Sequence, residues 1–145
     1  MNIKEKNTEI LVEEIRRILS EGKCVVMTAK GCSMLPFIRG GRDNVVLESV
    51  CEYVKGDILL CRVAPGTYVL HRLMEIRGRY LILMGDGNVR GKEWCLPRDV
   101  IARVKAIIHK GQYEDCGCLG FRRKSRLWQK LLPVRRFLLI FIRRF

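Results

Sequence analysis

Between Cys24 and Ile108 the chain is cut into short runs of β-branched and other apolar residues, each ended by a turn signal. This punctuation limits the possible folds more than any other feature of the sequence. Strands are expected at Cys24–Ala29, Asn44–Glu48, Asp57–Val63, Tyr68–Ile76, Tyr80–Met84 and Val100–Ile108. Lys55-Gly56-Asp57 and Ala64-Pro65-Gly66 read as turns, and Arg77-Gly78-Arg79 as a hairpin tip. So many strands joined by short turns predict a mainly β fold, a coiled antiparallel sheet or open barrel.

The flanks follow a different pattern. Thr8 is placed to cap a helix running to about Ser20, with Ile10, Leu11, Ile15, Ile18 and Leu19 on its packed face and Gly22 ending it. Residues Gly111 to Gly120 read as a loop. Beyond them, Leu127, Trp128, Leu131, Leu132, Phe137, Leu138, Ile140 and Phe141 alternate with basic residues around Pro133. The organisation expected is an N-terminal amphipathic helix over 1–22, a central domain over 23–110, and a loop with a basic helical tail over 111–145.

Charge divides the same way. The net charge is +13, yet residues 121–145 hold nine Arg or Lys and no acid, which leaves only +4 for the first 120 residues. Two readings of the tail compete: helices packed on the domain with solvated arginines, or a basic amphipathic segment on an anionic membrane surface. No helix-turn-helix or zinc-finger pattern accompanies the charge, so nucleic acid is not the expected partner. The charged first twenty residues do not read as a signal peptide. No apolar run approaches the ~20 residues that cross a bilayer.

The seven cysteines are scattered and contain no Cys-x-x-Cys pair, so neither a zinc site nor any other cofactor is expected. Cys24 and Cys61 sit in apolar runs, where a free thiol acts as a small hydrophobe. That usage favours a reducing, cytoplasmic setting, with the tail allowing a peripheral position on the inner face of a membrane.

Chemistry-bearing residues are few. Ser33 follows the first strand in Gly31-Cys32-Ser33-Met34-Leu35-Pro36, beside a glycine and ahead of a proline that fixes the chain, as a presented nucleophile would be. One of the two histidines, His71, lies inside a strand among apolar neighbours; the other, His109, follows the last strand and reads as a surface residue. Leu83-Met84-Gly85-Asp86-Gly87-Asn88 holds an acid in a glycine turn. Singly, each has a bland explanation as a loop serine, a core histidine and a good turn.

In order, they resemble the type I signal peptidases and the related self-cleaving SOS-type repressors, over roughly residues 24–108. Ser33-Met34-Leu35-Pro36 is similar to the family's Ser-Met-x-Pro box, and Gly56-Asp57-Ile58 to its Gly-Asp-(Ile/Val) turn. Leu70-His71-Arg72 falls where bacterial members carry the basic lysine and an arginine, and Gly85-Asp86-Gly87-Asn88 resembles the Gly-Asp-x-Asn box. Histidine at the base position is similar to the Ser-His subtype of the endoplasmic-reticulum, archaeal and sporulation enzymes. Imidazole titrates near 6.5 without the burial a lysine base requires.

The resemblance implies a serine endopeptidase that removes a leader or signal segment from a peptide or protein precursor. Ser33 would be the nucleophile and His71 the general base, with Asp86 orienting or charge-stabilising His71. Gly31, Cys32, Met34 and Pro36 would shape the substrate and oxyanion site, and no metal would be needed. The chain departs from many members in having Gly31 where they carry a hydroxyl, and in having a charged N-terminal helix where they carry a membrane span. Two alternatives remain: a catalytically silent peptide- or membrane-binding module of the same fold, and a regulatory protein that cleaves only itself. Against the second, Ser20-Glu21-Gly22-Lys23 contains no Ala-Gly type cleavage site.

Overall fold

The computed structural model describes residues 3–144. It is mainly β, a curled antiparallel half-barrel flanked by an N-terminal helix and C-terminal helices. Helix α1 (Ile3–Ser20) leads into strands β1 (Val25–Thr28), β2 (Asn44–Glu48), β3 (Ile58–Ala64), β4 (Thr67–Arg77), β5 (Tyr80–Met84), β6 (Glu93–Cys95), β7 (Val100–His109) and β8 (Gln112–Asp115). Helices α2 (Leu119–Lys130) and α3 (Arg135–Arg144) follow, joined by a 3₁₀ turn at Leu132–Val134. The strand order is β1-β2-β7-β3-β4-β5-β6, with β8 pairing the C-terminal half of β7 beyond the segment that β3 pairs. Register shifts interrupt the β2–β7, β3–β4, β3–β7 and β4–β5 ladders. Bulges of this kind bend a strand and increase its twist, which curls the sheet.

Strand β3 shows how the sequence produces two layers. Ile58 and Leu60 pack with Val12, Ile15 and Leu19 of α1 and with Val45, Leu47 and Val104 of the sheet. The alternate residues Leu59 and Cys61 join Leu73, Leu81, Leu83 and Cys95 on the other face. Period-two alternation thus buries both faces, and the run reads as continuously apolar.

All six expected strands form, within a residue or so of their bounds. Two short ones were not expected. Glu93-Trp94-Cys95 is too brief to show alternation, and Gln112–Asp115 occupies the stretch read as a loop, held by its ladder to β7 and not by apolar content. Helix α1 starts at Ile3, so Thr8 lies inside it and does not cap it. Its packed stripe is Val12, Ile15 and Leu19, while Ile10 and Leu11 are 60% and 52% exposed. Glu9 pins this helix to the sheet by accepting hydrogen bonds from the Tyr68 hydroxyl (2.6 Å) and the Gly66 N–H (3.2 Å).

Among the thiols, Cys61 is buried as expected and Cys24 is exposed. The Cys118 sulfur caps α2 by accepting from the Phe121 N–H. Burial pushes the neighbouring Cys116 thiol up to about 12. Among the described residues no helix is long and apolar enough to cross a membrane.

Candidate active site

The loop that carries Ser33 is closed at its neck by backbone pairing. Ala29 N–H donates to the Asp43 carbonyl (3.0 Å), Gly41 N–H to Ala29 (2.8 Å) and Gly40 N–H to Gly31 (3.1 Å). Gly40 is forced by this approach, since a Cβ there would lie 2.0 Å from the Gly31 oxygen. Asp43, fully buried, ties the neck. Its carboxylate accepts from the Arg39 N–H (2.7 Å) and Arg42 Nε (2.8 Å) and lies 3.0 Å from Nδ1 of the half-buried His109.

Burial pushes the Asp43 carboxyl upward, but the Arg42 and Arg39 hydrogen bonds and His109 outweigh it and hold the group below the usual value. A depressed folded-state pKa gives stability that is complete above the unfolded pKa, near 3.9, and is lost as pH falls through the folded value. Urea unfolding of the wild type is therefore expected to lose stability from about pH 5 downward. In Asp43→Asn that part of the pH dependence should be missing. Parallel profiles for the two proteins would reject this role for Asp43.

The Gly85–Asn88 turn supports the loop from behind. Gly87 N–H donates to the Ser33 carbonyl at 2.8 Å. A Cβ on Gly85 would sit 2.3 Å from the Ser33 carbonyl oxygen and 3.1 Å from His71 Nε2, and one on Gly87 would sit 2.3 Å from the Cys32 oxygen. Both glycines are required by close approach and not by a left-handed backbone. Gly85→Ala is expected to push the Ser33 loop away from His71. In a peptidase built on these two residues, a shift of about 1 Å would cost on the order of 10²-fold in turnover. Cleavage assays beside a melting curve would check this; a folded Gly85→Ala protein with full activity would contradict it.

His71 is 5% exposed, and its ring is held through Nδ1. Nδ1 lies 2.8 Å from Glu93 Oε2, and Nε2 faces the point above Gly85 where the Ser33 carbonyl also lies. Glu93 thus stands where Asp86 was expected. Its register on β6, opposite Leu83 of β5, lets its side chain reach His71 past the intervening β5. A three-residue strand gave no sequence signal for that placement. Ser33 and His71 line one cavity of about 440 Å³, walled by Leu11, Val12 and Ile15 of α1 and by Met27 and Thr28 of β1. Of the other expected site residues, Gly31 and Met34 line it, whereas Cys32 and Pro36 are exposed outside its lining. Among the described residues neither the Ser33 N–H nor its hydroxyl makes a hydrogen bond.

Asp86 has a different partner because Arg72, next to His71 on β4, points to the opposite side of the strand. Arg72 and Asp86 are 1% exposed each and form a two-pronged ion pair, Nε to Oδ1 at 3.2 Å and Nη2 to Oδ2 at 2.5 Å. Arg72 also donates to the Gly56 carbonyl (2.9 Å) and Ser125 Oγ (3.1 Å), and lies over the Phe37 ring. Asp86 accepts from Gln129 through its carboxylate (3.0 Å) and from Trp128 Nε1 through its carbonyl (2.8 Å). Arg135, fully buried against Trp128, donates to the Asn88 carbonyl (3.1 Å). The turn behind Ser33 is therefore bolted to α2 and α3.

Among the described residues no group of three or more His, Cys, Asp or Glu side chains is spaced to hold a metal ion. Compared with protein-family models and with curated protein sequences, this chain matches none.

Proposed function

We propose that the chain is a serine endopeptidase of the signal-peptidase-like class, using Ser33, His71 and Glu93 to remove a leader or signal segment from a peptide or protein precursor. The observation that carries this reading is the placement of His71, with Nδ1 on the Glu93 carboxylate and Nε2 beside the Gly85 backbone that the Ser33 carbonyl also approaches. A carboxylate on Nδ1–H leaves Nε2 as the basic nitrogen and stabilises the imidazolium that forms. Ser33 Oγ attacks the peptide carbonyl as Nε2 takes its proton. The C–N bond then breaks and the amine leaves with that proton. Water, deprotonated by the same nitrogen, hydrolyses the ester and regenerates Ser33. The unengaged Ser33 N–H serves as a donor to the oxyanion.

The substrate lies extended in the cavity. β1 is a terminal strand of the sheet, and an unpaired edge accepts a peptide by strand addition. The free thiols suit a reducing, cytoplasmic setting for this chemistry.

One observation favours a second reading, a binding module without turnover: the Ser33 hydroxyl makes no hydrogen bond to His71. Mass spectrometry of host peptide N-termini, with wild type against Ser33→Ala, separates the two. New N-termini that disappear in the variant support the peptidase and name its substrates. Identical termini from both, with peptide still bound by the folded protein, would leave the binding module.

A further inference from the structure

Helix α3 is apolar on two sides, and only one of them is used by the fold. Its inner stripe, Arg135, Leu138, Leu139 and Ile142, packs toward Leu35 and Trp128. Its outer stripe, Phe137, Ile140 and Phe141, is 53%, 52% and 63% exposed, and Arg136 and Arg144 flank it in solvent. The spacing 137, 140, 141, 144 puts one more face of the same helix in line. A separate feature adjoins it. Arg90, Arg136 and Arg143 line an open cleft of about 450 Å³ with Gly87, Asn88 and Val89, and no acid is among its lining residues.

We infer that this face of α3 docks on an anionic lipid surface, the Phe137–Ile140–Phe141 stripe entering the boundary between headgroups and acyl chains while the Arg90–Arg136–Arg143 cleft takes a lipid phosphate. The stripe needs a non-aqueous phase and the guanidiniums need anions, and an anionic bilayer supplies both within one helix diameter. A second copy of the chain satisfies only the first requirement, because its own α3 would bring Arg136, Arg143 and Arg144 to the contact and no acid. Nucleic acid or free phosphate satisfies only the second. The helix spans about 15 Å at 1.5 Å per residue, so it lies along the surface and does not cross it. The surface stands independently of the peptidase reading and is measured without turnover.

The test is co-sedimentation of the full chain with phosphatidylcholine vesicles, with and without about 30 mol% phosphatidylserine, at roughly 0.1 M salt. Binding to the anionic vesicles should be at least about tenfold tighter. Phe137→Ser with Phe141→Ser, and separately Arg136→Glu with Arg144→Glu, should each weaken it about tenfold or more. These side chains are exposed, so unchanged urea midpoints confirm that the variants fold. Inorganic phosphate at millimolar levels should leave vesicle binding in place. The inference is overturned if all variants bind vesicles equally, or if phosphate alone binds and vesicles do not. It also fails if the chain dimerises through this face without lipid binding, or if duplex DNA is retained equally by wild type and the Phe variants while vesicles are not.

Discussion

Ser33→Ala and His71→Ala should each lower cleavage of a mapped substrate by about 10⁴-fold or more, and the double variant should lose no more than either single one. Nucleophile and base act as one unit, so removing either removes the whole covalent route. What survives comes from binding and oxyanion donors alone. Glu93→Gln should lie between these and the wild type, on the order of 10²- to 10⁴-fold down, because an amide at 2.8 Å from Nδ1 holds the ring in place but neither fixes the tautomer nor stabilises the imidazolium. Single-turnover rates on one peptide would check all four proteins. Additive losses in the double variant, or a Glu93→Gln rate equal to wild type, would dismantle the arrangement proposed for these three residues.

The second large effect is on stability. Arg72 and Asp86 are both buried, so removing one leaves a charge without its counter-ion, which costs about 3–5 kcal/mol. Arg72→Met and Asp86→Ala should each show a loss of that size in urea unfolding. The double variant should lose clearly less than the sum, since it buries no orphaned charge. The same series decides what Asp86 does. As a support behind the serine loop, its loss should lower the fraction folded and loosen the site, and activity should return partly in the double variant. A fully stable Asp86→Ala protein with no turnover would instead make Asp86 part of the chemistry.

The scaffold was largely legible in the sequence because strands announce themselves through alternation and turns. β2 and β5 match their expected bounds, and the two-faced burial of β3 explains its uninterrupted apolar run. The candidate site was legible only in part. Ser33 and His71 stand out as residue types near turns and strands, and the fold brings them to one cavity. Glu93 did not stand out, because a register across β5 and β6 decides what a three-residue strand faces. Asp86 stood out through the Gly-Asp-x-Asn box. A box does not tell which side of β4 the arginine next to the histidine occupies, and that arginine pairs with the carboxylate. Gly85 and Gly87 looked like turn formers, yet what excludes side chains there is the backbone of residues 32 and 33, more than fifty positions earlier. Packing of that kind has no local signature.

The attachment of the Gly85–Asn88 turn to Trp128, Gln129 and Arg135 has a consequence in time. A chain made from its N-terminus completes the serine loop and the histidine strand first, and makes their brace later. Until α2 and α3 have left the ribosome and docked, Asp86 keeps Arg72 but lacks its Trp128 and Gln129 partners, and the turn that holds the Ser33 carbonyl has no helix behind it. In the proposed peptidase, Ser33 and His71 would thus be in place before the helices that support their loop.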